Sequence, residues 1–109
     1  MSTDIHHSII AAPIDDQIKL IYDWVHEQAP NIQCLMCIGE PTHNFFQFVC
    51  MLPDGSSDGR EASREGDKAR DGFCKLLDDI GCDWVEVEFG SVDYKITRKD
   101  KGQMEIENL

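Results

Sequence analysis

The last third of the chain contains two alternating segments, CDWVEVEF and VDYKITRK, on either side of Gly90 and Ser91. Apolar and polar residues alternate with a period of two in both segments, which is the pattern of half-buried β-strands. Glycine at the first position of a two-residue connection favours a type II′ turn. The sequence therefore predicts a tight antiparallel hairpin.

The predicted turn also fixes which side chains share a face of the hairpin. Counting outward from it places Glu88 opposite Asp93 and Val85 opposite Ile96. The face predicted to meet the core then holds Val85, Val87, Phe89, Val92, Tyr94 and Ile96. The opposite face holds Trp84, Glu86, Glu88, Asp93 and Lys95, which would form an acidic strip beside an exposed tryptophan.

Two helices and two further strands precede this hairpin. Apolar residues recur at helical spacing over 13–28, with Asp15 and Asp16 near the start, and a second helix is predicted from about residue 57 or 61 to Ile80. Gly81 is placed to end the second helix. Between the helices, NIQCLMCIG and NFFQFVCML are β-rich runs separated by turn residues.

These segments predict an α+β fold with two helices on one face of a four- or five-stranded antiparallel sheet. Residues 5–12, IHHSIIAA, would be an additional edge strand in a ferredoxin-like arrangement, or an arm outside an α-β-β-α-β-β sandwich. We expect a single domain over residues 1–98 and a frayed tail over 99–109. At 109 residues the chain is long enough to bury one core.

The chain is strongly acidic, with 21 aspartates and glutamates against 10 lysines and arginines and a net charge of −11. Binding to nucleic acid or to anionic lipid depends on a basic patch, so this charge argues against both. A basic protein is the partner that suits it best.

The five cysteines are an odd number at irregular spacing, and MSTDIHHSII does not have the pattern of an export signal. We therefore expect a reduced, cytoplasmic protein. Strand alternation would send Cys34 and Cys37 of CLMC to opposite faces, so we interpret them as buried small residues rather than a zinc or redox pair.

Residues 54–65, DGSSDGREASRE, carry oxygen-bearing residues at calcium-loop spacing. In this twelve-residue segment the chain resembles an EF-hand loop. The resemblance implies that calcium would be held by Asp54, Ser56, Asp58, the carbonyl of Arg60, and Glu65. The alternative is a polar turn in which Asp58 and Glu61 form a capping box for the second helix. No other cofactor is expected.

Two surfaces are candidates for binding other proteins. The acidic strip of Trp84, Glu86, Glu88 and Asp93 would bind a basic partner, with the tryptophan as its anchor. The strand 44–52 is apolar on both sides, and one helical layer covers only one side of a sheet. Self-association is therefore predicted through Phe45, Val49, Met51 and Leu35, giving a homodimer.

The leading functional hypothesis is a small acidic cytoplasmic protein-interaction module, non-enzymatic, that regulates or inhibits a basic partner protein. Its basis is the charge together with the lack of a recognisable catalytic motif in the sequence. One alternative is a calcium-binding protein that uses residues 54–65. Another is an enzyme with a carboxylate-only site such as Glu86 and Glu88, which would need a carboxylate of raised pKa.

Overall fold

A computed structural model describes residues 6–40, 47–53, 63–90 and 95–100. Five strands and three helices occur in these ranges. In chain order they are β1 (His6–Ala12), α1 (Asp15–His26), α2 (Pro30–Gln33), β2 (Met36–Ile38), β3 (Val49–Met51), α3 (Ser63–Asp79), β4 (Asp83–Phe89) and β5 (Lys95–Lys99). The predicted α+β class is confirmed.

The strands form one antiparallel sheet in the order β2-β3-β1-β4-β5. This is the strand order of a ferredoxin-like split β-α-β arrangement with β5 added at one edge. The N-terminal segment is therefore a strand, but the prediction that it lies at an edge is wrong. It is central, because β1 pairs with β3 on one side and with β4 on the other.

Local sequence signals set the limits of the two long helices. α1 starts after Pro13, and the side chain of Gln17 accepts a hydrogen bond from the backbone N–H of Ile14 at 2.9 Å. α3 ends at Gly81, whose φ of 74° suits glycine. There the backbone N–H of Cys82 bonds to the carbonyl of Leu77, which is a Schellman C-cap.

The segment between α1 and β3 differs from its prediction. Pro30 occupies the first turn of α2, where its missing N–H leaves no helical hydrogen bond unmade. This short helix takes residues 31–33 out of the predicted strand. β2 is consequently only three residues long.

Both long helices lie on the same face of the sheet and contact each other. The rings of Trp24 in α1 and Phe73 in α3 are 5.1 Å apart. The side-chain amide of Gln17 donates to the carbonyl of Ile80, so the start of α1 meets the end of α3 and the helices are antiparallel. The buried apolar core between helices and sheet consists of Ile9, Ala11, Ile21, Ile32, Val49, Met51, Ala69, Phe73, Cys74, Leu77, Cys82 and Trp84.

The C-terminal hairpin has a different register from the predicted one. Glu88 pairs with Lys95 rather than with Asp93, which is incompatible with a two-residue turn at 90–91. Between Glu86 and Val87 the pairing shifts by one further residue, because Thr97 is extra in β5 and forms a β-bulge. Asp93 itself lies outside the described residues.

The fold also extends beyond residue 98. Lys99 is the last residue of β5, and Asp100 is buried. The carboxylate of Asp100 accepts a hydrogen bond from the backbone N–H of Trp84 at 3.1 Å, and its own N–H donates to the Trp84 carbonyl. These two residues are therefore not part of a frayed tail, and residues 101–109 lie outside the described ranges.

We predict that Met51→Ala lowers the free energy of unfolding by about 3 kcal/mol, because Met51 is fully buried beneath the helices. Leu52→Ala, one residue further on and facing the other way, should cost less than about 1 kcal/mol. Urea denaturation of the two variants tests the assignment of faces. A larger loss for Leu52→Ala would contradict it.

Candidate functional site

The face that holds the predicted partner-binding residues is the buried one. Trp84 is 4% exposed and Glu86 is 3% exposed, and both point toward α3. Glu88 is half-buried. The prediction of an exposed acidic strip on β4 is therefore wrong, and Val85 and Val87, which were predicted to face the core, lie on the opposite face.

Glu86 is buried as a charged group because basic side chains surround it. Arg98 forms a two-pronged interaction with its carboxylate, with Nε donating to Oε1 at 2.9 Å and Nη2 donating to Oε2 at 2.7 Å. Thr97 donates its hydroxyl hydrogen to Oε1 at 2.8 Å. Nε of Arg70 in α3 lies 3.3 Å from Oε2, without the geometry of a hydrogen bond. Such paired and hydrogen-bonded charges are the form in which a carboxylate is buried.

The β-bulge explains how two consecutive residues reach the same carboxylate. In a regular strand Thr97 and Arg98 would point to opposite faces of the sheet. The extra residue at the bulge lets both contact Glu86. A second arm of the Arg98 guanidinium donates to Asp71 of α3 at 2.8 Å, so the cluster ties β5 to α3.

The electrostatic balance at Glu86 favours its charged form. Burial by itself would raise the pKa of this carboxyl group, but the hydrogen bonds from Arg98 and Thr97 and the nearby positive charge lower the pKa below its ordinary value of 4.5. An acid catalyst working near neutral pH needs a raised pKa. Glu86 therefore has the properties of a structural ion pair, and its environment does not favour the carboxylate-only enzyme.

Trp84, like Glu86, contacts α3. Its indole N–H donates to the carboxylate of Asp78 in α3 at 2.9 Å. A buried tryptophan usually needs such a partner for its single polar group. Further along the same face of β4, Glu88 contacts His7 at 3.4 Å and Lys95 at 3.3 Å. These contacts explain why polar residues occupy the covered face.

The uncovered face of the sheet is apolar at its centre. No described element covers this side. Phe48 is 48% exposed and Ile96 is 58% exposed. By strand alternation and pairing, the described side chains on this face include Ser8, Ile10, Ala12, Cys37, Phe48, Cys50, Leu52, Val85, Val87 and Ile96, with the charged Asp83 and Lys99 toward one end. We call this surface the open face.

The structure places the predicted self-association residues elsewhere. Val49 and Met51 are buried in the core, and Leu35 packs against it. Phe45 lies outside the described residues. One side of the sheet is left uncovered by the described elements, as expected. In segment 48–52, however, the residues on that side are Phe48, Cys50 and Leu52.

The outer surface of α1 is a feature that the sequence analysis did not select. Its exposed acids are Asp15, Asp16 and Asp23, followed by Glu27 at the C-cap, and Lys19 is the one exposed lysine or arginine in this helix. Leu20 is 45% exposed and Tyr22 is 41% exposed on the two flanks. Asp16, Leu20, Asp23 and Glu27 recur every three to four residues, and this spacing in the sequence indicates that they share one side of the helix.

The calcium-loop residues fall largely outside the described ranges. This applies to Asp54, Ser56, Asp58 and Arg60, whereas Glu65 is exposed in the first turn of α3. Within the ranges that are described, no three histidine, cysteine, aspartate or glutamate residues form a group that could hold a metal ion. Cys34 and Cys37 are exposed, so the interpretation of both as buried residues is wrong.

No protein-family model matches this chain, and neither a curated protein nor a solved structure matches it. No helix in the described part of the chain has the length and apolar character needed to cross a membrane.

The ion cluster predicts a specific dependence of stability on pH. Because the folded-state pKa of Glu86 is lowered, its contribution is complete above the unfolded-state value near 4.5 and is lost as the pH falls through the lower folded-state value. At neutral pH, Glu86→Gln should cost about 3 kcal/mol, since it leaves two arginines without their buried partner. Urea denaturation as a function of pH measures both effects.

Glu88→Gln is the matched control for this experiment. Its partner Lys95 is largely exposed, so the loss should stay below about 1 kcal/mol. Equal losses for the two variants would contradict the assignment of Glu86 as the central buried charge. A Glu86→Gln variant that still loses as much stability at low pH as the wild type does would contradict it as well.

Proposed function

We propose that this protein is a non-enzymatic, homodimeric interaction module that acts in the cytoplasm as a regulator or inhibitor of a basic protein. The observation that carries the proposal is the outer surface of α1. Three exposed acids of the helix and a fourth at its C-cap lie there with one exposed lysine and two large exposed apolar side chains, Leu20 and Tyr22. This surface replaces the strip on β4 as the proposed site for the basic partner.

The chemistry of the α1 surface specifies the kind of partner. Aspartates on the exposed side of the helix attract lysine and arginine, and complementary charge accelerates encounter and excludes acidic competitors. Leu20 and Tyr22 add apolar area on either side, and tyrosine is among the residues that most often dominate binding energy. We therefore expect a partner with basic side chains around an apolar patch.

The open face supports the second part of the proposal, docking of a second copy. Two chains with a net charge of −11 repel each other, so self-association requires a surface of low charge. The centre of the open face meets this condition, because Ser8, Ile10, Cys50, Val85 and Val87 carry no charge. Two copies packed through this face would form a helix-sheet-sheet-helix sandwich, which leaves both α1 surfaces outward.

Charge reversal on α1 tests the partner surface. The probe is a set of peptides selected from a random displayed library against the wild-type protein. We expect selected peptides to be rich in lysine, arginine and apolar residues, and to bind more weakly as salt is raised. Asp16→Lys combined with Asp23→Lys should weaken binding about tenfold or more.

The control is Glu65→Lys combined with Asp79→Lys on α3, which changes the net charge by the same amount at two other exposed positions. This variant should retain most of the affinity. Selected peptides without basic residues, or equal losses in the two double variants, would refute the α1 surface as the site.

Sedimentation tests the homodimer separately. We expect a dimer at micromolar concentration that strengthens as salt screens the repulsion between the two acidic chains. Ile10→Asp at the centre of the open face should give a monomer, whereas Ile14→Asp, at an exposed position next to α1, should leave the dimer intact. A monomeric wild-type protein at all salt concentrations would refute this part of the proposal.

A further inference from the structure

The pairing of β2 with β3 brings two cysteines together. Cys37 lies directly opposite Cys50. Both side chains are on the open face, because the next pair along the strands, Ile38 and Val49, faces the core. Cys37 is exposed on the edge strand, and Cys50 is half-buried. In the sequence the neighbour of Cys37 is Cys34, whereas in the sheet it is Cys50 on the adjacent strand.

The backbone hydrogen bonds define the geometry of this pair. The N–H of Gly39 donates to the carbonyl of Phe48 at 2.9 Å, and the N–H of Leu52 donates to the carbonyl of Leu35 at 2.9 Å. Cys37 and Cys50 lie two residues from each of these pairs and therefore occupy a pair of the same hydrogen-bonded kind. The α-carbons of such a pair are about 5.5 Å apart, within the range of roughly 4.4 to 6.8 Å found for disulfides.

We propose that Cys37 and Cys50 are a dithiol site that a low-molecular-weight disulfide, such as glutathione disulfide, converts reversibly into a cross-strand disulfide. This chemistry goes beyond the proposed function, because it requires neither the basic partner nor the second copy. It uses the same open face as the proposed dimer, so the exchange takes place on the monomer, in which both cysteines can be reached. Cys37 is the entry point, since it is the more exposed of the two sulfurs.

The reaction takes place in two exchange steps. The Cys37 thiolate attacks one sulfur of glutathione disulfide, forming a mixed disulfide and releasing one glutathione thiolate. The Cys50 thiolate then attacks the Cys37 sulfur and expels the second glutathione. In total the two protein thiols lose two electrons and two protons, and one glutathione disulfide becomes two molecules of reduced glutathione.

The surroundings of the five cysteines favour reaction at Cys37 and Cys50 over reaction at the buried cysteines. Burial, followed by the nearby Cys37 thiolate, raises the pKa of Cys50, so the closing step should accelerate as the pH rises. Burial raises the pKa of Cys74 to about 12 and the pKa of Cys82 to about 11, so neither competes as a thiolate. The exposed Cys34 is the remaining competitor.

The bond should be reducible under cellular conditions. Facing β-carbons in a sheet lie about 4.5 to 5.5 Å apart, and hydrogen-bonded pairs are at the wider end. Disulfides prefer about 3.8 Å, so closure must draw the strands together locally. Strained disulfides are the ones that an ordinary thiol pool reduces again.

The test is incubation of the full-length wild-type protein with mixtures of oxidised and reduced glutathione, followed by acid quenching, alkylation and peptide mass spectrometry. The expected product has lost two hydrogen masses and yields a peptide joining Cys37 to Cys50. It should revert when excess reduced glutathione is added, and its rate of closure should increase with pH.

Three variants complete the experiment. Cys37→Ser and Cys50→Ser should abolish the internal disulfide, and Cys37→Ser should also prevent the first mixed disulfide. Cys34→Ser should form the Cys37–Cys50 bond as the wild type does. A stable glutathione adduct on Cys37 without internal closure would overturn the proposal, as would a Cys34–Cys37 disulfide as the main product.

Discussion

The neutralisation of Glu86 determines the orientation of the whole sheet. A carboxylate on the face that two helices cover would be prohibitively costly if it were unpaired. Arg98 meets it with two hydrogen bonds, Thr97 adds a third, and Arg70 supplies further positive charge from α3. With these contacts in place, β4 can turn its polar side toward the helices, and every other strand must follow because side chains alternate in register.

The orientation of β4 also determines which of its side chains are exposed on the uncovered face of the sheet. Val85 and Val87 are directed outward, in line with Ile10 and Ser8 of β1 and with Cys50 of β3. The result is a low-charge apolar surface on an otherwise acidic chain. The open face, and with it the position of the Cys37–Cys50 dithiol, thus depends on the buried ion cluster.

The class of fold could be predicted from the sequence, but which face of β4 is buried could not. Helical periodicity located α1 and α3, and Gly81 marked the end of α3 correctly. Alternation in β4 was also recognised, yet alternation alone does not say which side is buried. It favours the more apolar side for the core, because the two arginines that neutralise Glu86, Arg70 and Arg98, come from other elements of the fold. The bulge at Thr97 has no clear sequence signature, and it sets the final register.

The most direct measurement concerns Trp84, whose position distinguishes the two orientations of β4. Trp24→Phe retains an aromatic ring next to Phe73 and leaves Trp84 as the single tryptophan. The account predicts that this variant shows blue-shifted fluorescence that acrylamide quenches poorly, and that the emission shifts to the red on unfolding. Red-shifted, readily quenched emission from the folded protein would place Trp84 in solvent and contradict the central role of Glu86.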